Sequence, residues 1–211
     1  MPVSGVLERF LDYWNELPRE SGALLPCRTA LEPSCLHGLL PRLALLKRLD
    51  RYDVTASMMG TTQNGQWRGP MMGMNAFDLT APNMRENTAD LYSAVLDQPA
   101  AALMRETILR KDGKAADVAS LYLPLADRYG SPTYIVGCTV YEKRPTYNSI
   151  NDRMLLDHQH VRNIEFLDIG GGQPDYEFSR PTPRGREVSE TPWWSRFMPG
   201  RPSPNGARLD S

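Results

Sequence analysis

Three strand-like runs follow one another in the middle of the chain, and only short turns separate them. The runs are residues 103–110, 116–125 and 133–141. Between the first two stands Asp112-Gly113, a dipeptide that accommodates the positive φ angles of a two-residue hairpin turn. A connection this short joins only antiparallel neighbours, because a parallel pair needs a crossover of a dozen or more residues. The sequence therefore predicts an antiparallel sheet.

Two further strands and a helix precede these three strands. Apolar runs at 43–49 and 52–59 predict a second antiparallel hairpin. The following segment, 60–83, is rich in glycine and methionine and predicts loops with short helical turns. A helix is then expected to begin near Asn83, whose side chain can cap it, and to end before Pro99.

An amphipathic helix is predicted at the start of the chain. Its apolar residues fall on one stripe at helical spacing: Leu7, Phe10, Leu11, Trp14 and Leu17. Together the elements predict an α+β protein: a five-stranded antiparallel sheet with helices on one face, and an N-terminal amphipathic helix. We divide the chain into the helix at 1–20, a domain at 21–142, a C-terminal extension at 143–178 and a disordered Pro/Arg-rich tail at 179–211.

The composition is that of a soluble globular protein and argues against two classes of partner. A net charge of −1 lacks the positive field that draws nucleic acids and anionic membrane surfaces, so we expect neither partner. No apolar run is long enough to span a bilayer. The three cysteines, Cys27, Cys35 and Cys138, show no short repeated spacing, which is typical of free thiols in a reducing compartment. We therefore expect a cytoplasmic protein.

The order of these elements resembles the PAS fold, in which a five-stranded sheet closes over helices around a small internal pocket. The local sequence is similar to that of a single-domain PAS family of alphaproteobacteria over residues 5–142. The matching segments are Tyr13-Trp14, Pro26-Cys27-Arg28, Pro33, Leu40-Pro41, Met59-Gly60-Thr61, residues 73–79, Gln98-Pro99 and Leu123-Pro124-Leu125. The resemblance implies a regulatory protein and not an enzyme. Such a protein would sense a small ligand or control a partner, for example a component of a histidine kinase pathway.

A pocket in such a fold has apolar candidates for its lining. They are Met58, Trp67, Met72, Met74, Phe77, Tyr92, Leu123 and Cys138. Methionine adapts to irregular contents, so these residues suit a plastic pocket for a small apolar metabolite, and they equally suit an ordinary core. The alternative is a pure protein-interaction module with a filled core. The resemblance also implies that haem and flavin are absent. Haem sensors of this fold carry a histidine ligand on the helix that corresponds to residues 83–98, which contain none, and the Asn-Cys-Arg run of light-sensing relatives is missing.

Two groups of large apolar residues are candidates for partner docking. Phe10 and Trp14 on the first helix suggest a homodimer, because their stripe exceeds what a short helix needs to cover one sheet face. In the tail, Trp193, Trp194 and Phe197 stand in a segment otherwise too polar to fold. They are expected to dock on the domain itself or on a partner's groove.

Two motifs suggest other functions, a methyltransferase and a metal site, and we reject both. The run FLDIGGGQP at 166–174 is similar to the first motif of S-adenosylmethionine-dependent methyltransferases. That motif must close the first strand of a doubly wound sheet, yet only 37 residues follow Pro174. We interpret the run as a flexible exit from a last strand at 161–169. On a strand, His158 and His160 would share one face and could hold a metal ion. At the end of a helix over 148–160, which we predict here, they would point apart, so we expect no metal site.

Overall fold

The protein is described here by a computed structural model, which defines residues 5–36, 38–61, 72–80, 82–109, 115–142 and 160–176. One antiparallel sheet runs through these residues, with the strand order β2-β1-β5-β4-β3-β6. The strands are β1 Leu43–Asp50, β2 Asp53–Met59, β3 Ala100–Leu109, β4 Ala115–Ala126, β5 Pro132–Tyr141 and β6 His160–Asp168. The predicted antiparallel sheet is confirmed, and β6 extends it from five strands to six.

Helices cover both faces of the sheet. Helix α1 (Gly5–Glu16) packs on the face that we call outer, and helices α2 (Ala76–Leu79) and α3 (Arg85–Asp97) pack on the inner face. Because successive side chains on a strand point to opposite faces, each central strand must be apolar on both sides. In β5, Val136 and Cys138 join the outer core while Ile135 joins the inner core.

Helix α3 begins differently from the prediction. It starts at Arg85 after a 3₁₀ turn over Pro82–Met84, and Met84 in the N-cap position makes no side-chain capping bond. The N-cap residue is therefore Met84 and not the predicted Asn83. The inner stripe of the helix explains why it forms anyway: Leu91, Tyr92, Val95 and Leu96 are buried against the sheet, and such packing supplies most of a helix's stability in a protein.

Trp14 fixes α1 to the sheet by a single directed bond. Its indole Nε1–H donates to the carbonyl oxygen of Pro124 in β4 at 3.0 Å, and both groups are buried. Proline is tolerated inside this central strand because it lies beyond the last β3–β4 pair, Ala102 with Tyr122. Its missing N–H therefore interrupts no bond between these two strands.

The predictions for the first helix need a correction. Phe10 and Trp14 are fully buried in the core of their own chain, so they cannot contact a partner from there. The stripe is wide because it packs on β4 and β5 of the outer face, and its two largest side chains are therefore not available at the surface. A homodimer stays a prediction and would need another surface. Trp193, Trp194 and Phe197 lie outside the described residues.

Residues 160–168 of the predicted extension complete the sheet as strand β6. Strand β6 pairs with β3 along its length, and Arg105 of β3 contacts Glu165 of β6 at 3.0 Å. Arg162 of β6 binds Glu142, which follows β5. His160 is the first residue of this strand, so the predicted helix over 148–160 is wrong at its end; the rest of that range lies outside the described residues.

The glycines of 170–172 form a defined turn after β6. The Asp168 Oδ1 accepts the amide N–H groups of Gly170 and Gly172 at 2.7 and 2.9 Å. Gly170 and Gly172 have φ of +105° and +85°, and a Cβ on Gly171 would lie 2.4 Å from the oxygen of Pro99. The turn therefore requires glycine for its own backbone geometry. It follows the edge strand of an antiparallel sheet, whereas the methyltransferase motif follows the first strand of a doubly wound sheet.

We expect Trp14 to be a strong determinant of stability. Trp14→Phe should lower the free energy of unfolding by about 1–3 kcal/mol, because the buried Pro124 carbonyl loses its donor. Trp14→Ala should lower it by about 3–5 kcal/mol through the added cavity. Urea unfolding followed by circular dichroism measures both values. The neighbouring exposed Asn15→Ala is the control, with an expected change within about 0.5 kcal/mol. A loss below about 1 kcal/mol for Trp14→Ala would contradict the burial of α1.

Candidate functional site

An aromatic column crosses the space between the inner face and the helices. The rings of Tyr52, Phe77, Tyr92 and Tyr122 contact one another in that order, with centroids 5.5, 6.0 and 6.2 Å apart. All three contacts are edge-to-face, the arrangement that opposes the positive rim of one ring to the negative face of the next. The column thus links the exposed β1–β2 turn to the centre of the sheet.

The outer end of the column is held by an ion-pair cluster. The Tyr52 hydroxyl donates to Glu86 of α3 at 2.6 Å, and Arg51 contacts Glu86 and Asp90 at 2.7 and 2.6 Å. The Tyr52 hydrogen bond and the Arg51 guanidinium hold the pKa of Glu86 below its ordinary value. These contacts tie the β1–β2 hairpin to α3 at the protein surface.

The inner end of the column rests on the sheet. Tyr122 of β4 lies opposite Gly137 of β5, and a Cβ at Gly137 would come within 3.2 Å of the Tyr122 ring. The glycine therefore leaves the room in which the ring lies against the neighbouring strand. This packing sets the position of the Tyr122 ring, and with it the edge that meets Tyr92.

Polar side chains stand on the inner face beside this end. Glu106 of β3 is only 6% exposed, and Ser120 of β4 is buried with its hydroxyl 2.8 Å from that of Thr139. Burial raises the pKa of Tyr92 above its ordinary value, and the charge of Glu106 adds to the shift. Burial raises the pKa of Tyr122 likewise, with further contributions from Tyr92 and Glu106. The two phenols therefore stay protonated near neutral pH and can donate hydrogen bonds.

The predicted pocket residues divide between the two faces of the sheet. Phe77 and Tyr92 meet on the inner face, as a shared pocket requires. Leu123 and Cys138 belong to the outer core beneath α1, and Met58 packs there as well. One pocket cannot be lined by all five. The error has a physical cause: both faces are apolar, so the sequence does not reveal which set of alternate residues faces α1.

The remaining candidates are less informative. Met72 is 62% exposed, and Met74 is half-buried, with its carbonyl oxygen accepting the amide of Ala56 in β2. Trp67 lies outside the described residues. Cys138 is a free thiol whose pKa burial raises to about 12, so it is an inert filler of the outer core.

Three residues of the inner face were not predicted from the sequence as site residues: Glu106, Ser120 and Tyr122. A signal for the first was available, because Glu106 continues the alternate series Ala100, Ala102 and Met104, which is apolar and buried on the same face of β3. For Tyr122 the signal is the glycine opposite, which becomes visible only once the β4–β5 register is known. Ser120 carries no pattern that separates it from an ordinary strand residue.

Two structural features bear on other classes of site. Within the described ranges, no three His, Cys, Asp or Glu side chains come together in a way that could hold a metal ion. In the same part of the chain, no helix is long and apolar enough to cross a membrane.

Comparisons with known proteins point to one family. A family profile described as PAS domain matches residues 4–140. No curated protein matches the chain. Among solved structures, one titled as an RNA-binding light-oxygen-voltage receptor is 21% identical with a TM-score of 0.39, over 65% of this chain and 37% of the receptor. A variant of RsLOV is 18% identical with a TM-score of 0.37, over 56% of this chain and 74% of its own.

The likeness to these structures is too low to carry a conclusion about function, and the chain spans little more than a third of the receptor. The family match is of a different kind, because it extends from α1 to the end of β5 and covers more than half of the chain. It also agrees with a sheet whose first five strands follow the order 2-1-5-4-3. The chain belongs to the PAS domain family, a family of sensory and regulatory domains.

Proposed function

We propose that this PAS domain is a non-enzymatic regulatory module that senses a small amphipathic molecule on the inner face of its sheet. The observation that carries the proposal is Glu106, a carboxylate buried on this face next to Tyr92 and Tyr122. The ligand's polar group would meet Glu106 and the two phenols. Its apolar part would lie against Phe77 and the neighbouring inner core.

The position of Glu106 supports a binding role. Glutamate is seldom buried in a purely structural core, where apolar residues are the rule. Buried titratable groups with shifted neighbours concentrate at functional sites. A protonated phenol beside a carboxylate offers a donor and an acceptor together, which suits a ligand carrying a hydroxyl, amide or amine.

The aromatic column suggests how occupancy would be read at the surface. A ligand that displaces the edge of Tyr92 or Tyr122 must also shift Phe77, because the rings touch in series. Phe77 contacts Tyr52, whose hydroxyl binds Glu86 on α3. The surface that responds would therefore be the β1–β2 turn with α3, and a signalling partner would bind there. A histidine kinase pathway component in the cytoplasm remains our prediction for that partner.

A second candidate follows from the same column. The rings of Tyr52, Phe77, Tyr92 and Tyr122 pack against one another on the inner face. If that packing is complete, the domain is a pure interaction module with no ligand. The two candidates differ in one observable, the presence of a bound small molecule.

Mass spectrometry of the purified protein separates the two candidates. Under native conditions we expect a one-to-one complex with a small molecule, which is released on denaturation. Glu106→Gln should reduce occupancy about tenfold or more, because a hydrogen bond to a charged group contributes about 1.5–3 kcal/mol. The exposed Glu16→Gln is the matched control and should retain full occupancy. A folded wild-type protein without any bound molecule would exclude ligand sensing and leave the interaction module.

The buried phenols also predict how stability depends on pH. The pKa of Tyr92 is higher in the folded state than in the unfolded state, where it is about 10. Its stabilising contribution is therefore complete below pH 10 and is lost as the pH rises towards the folded-state pKa. Above pH 10 the free energy of unfolding should fall by about 1.4 kcal/mol per pH unit for each such tyrosine.

In Tyr92→Phe, the free energy of unfolding should fall less steeply above pH 10, because one of the buried tyrosines no longer contributes its slope of about 1.4 kcal/mol per pH unit. Urea unfolding at pH 9, 10 and 11 measures the slope. The control is Tyr129→Phe, which alters a tyrosine that is 76% exposed and should leave the slope unchanged. Equal slopes for wild type and Tyr92→Phe would show that the Tyr92 hydroxyl is not buried in the folded protein.

A further inference from the structure

A mostly apolar cleft of about 190 Å³ opens at the end of the sheet where α1 leads into the domain. Its apolar lining comes from three separate segments and consists of Ala23, Leu24, Leu25, Pro99, Ala126 and Pro132. A cavity of about 150 Å³ lined by apolar side chains is large enough to bind benzene. The cleft therefore has room for one aromatic ring, and it lies away from the inner-face site.

The rim of the cleft is acidic. Glu20 and Asp127 both line it. Arg19 stands next to Glu20 in the sequence, but its guanidinium donates to the backbone carbonyls of Leu17 and Leu24 instead. The cleft therefore suits an aromatic group that is followed closely by a cation.

The chain carries such a segment after the described residues. In TPWWSRFMPG, at 191–200, two tryptophans are followed two residues later by Arg196 and then by Phe197. We propose that this segment of the same chain docks in the cleft, with one tryptophan ring inside and Arg196 at the Glu20 and Asp127 rim.

The path of the chain permits this docking. The turn at 170–172 touches Leu24 and Pro99, and Gln98 binds the carbonyl oxygen of Gln173, so the chain passes the cleft. It then runs along α3 to Tyr176, whose hydroxyl donates to the Asn87 carbonyl. From Asn87 back to Gln98 is about 16 Å along a helix. Residues 177–192 can span up to about 50 Å, so the return is within reach.

Hydrogen exchange of the full chain tests the docking. In Trp193→Ala/Trp194→Ala, peptides that cover 20–27 and 126–132 should exchange at least about fivefold faster than in the wild type. These peptides contain the Ala23, Ala126 and Gly130 amides, which hydrogen-bond beside the cleft. Peptides of α1 are the internal control and should not change. Identical exchange in both proteins would overturn the proposal, as would a difference that grows with protein concentration, which indicates the tail of a second copy.

A charge reversal independently tests the proposed contact between Arg196 and the acidic rim of the cleft. Glu20→Arg and Arg196→Glu should each accelerate exchange at the cleft, and the two together should restore the wild-type rate. Glu16→Arg is the matched control, because Glu16 is an exposed acid on α1 that does not line the cleft. Failure of the combined variant to recover protection would overturn the contact between Arg196 and this rim.

Discussion

Strands β4 and β5 bury side chains on both faces of the sheet, against α1 on one side and against α2 and α3 on the other. Strand alternation makes the two cores independent, because neighbours such as Leu121 and Tyr122 necessarily point to opposite sides. The outer core is mainly aliphatic and aromatic, and the Trp14 indole fixes α1 to it by donating to the Pro124 carbonyl oxygen. The opposite face carries Glu106 and Ser120 among its buried residues.

On the inner face, Glu106, Ser120 and the phenols of Tyr92 and Tyr122 combine a carboxylate, a hydroxyl and two donors in a space closed by α3. Aromatic rings connect this set to the surface at Tyr52, where ion pairs join the β1–β2 hairpin to α3. Under the proposed function, ligand binding inside the domain would reach one patch of its surface through these contacts.

Local patterns were sufficient to predict the parts of the fold that local chemistry decides. The Asp112-Gly113 dipeptide and the alternating runs located β3, β4 and β5 within a few residues, and helical spacing marked the buried stripe of α1. The pairing of strands that lie far apart in the sequence could not be predicted. The pairing of β6 with β3 depends on contacts about 60 residues apart in sequence, such as Arg105 with Glu165. Leu123 and Cys138 were assigned to the wrong face because both faces are equally apolar, and Tyr122 was missed because Gly137 reveals its place only in the folded register.

A crystal structure of the protein as purified, at a resolution that shows ordered small molecules, tests ligand sensing on the inner face most directly. We expect electron density that belongs to no residue of the chain, in contact with Glu106 and with the hydroxyls of Tyr92 and Tyr122. The rings of Phe77 and Tyr92 should be displaced from their edge-to-face contact to admit it. An inner face closed by the protein's own side chains, with the four rings in contact and no additional density, would contradict ligand sensing.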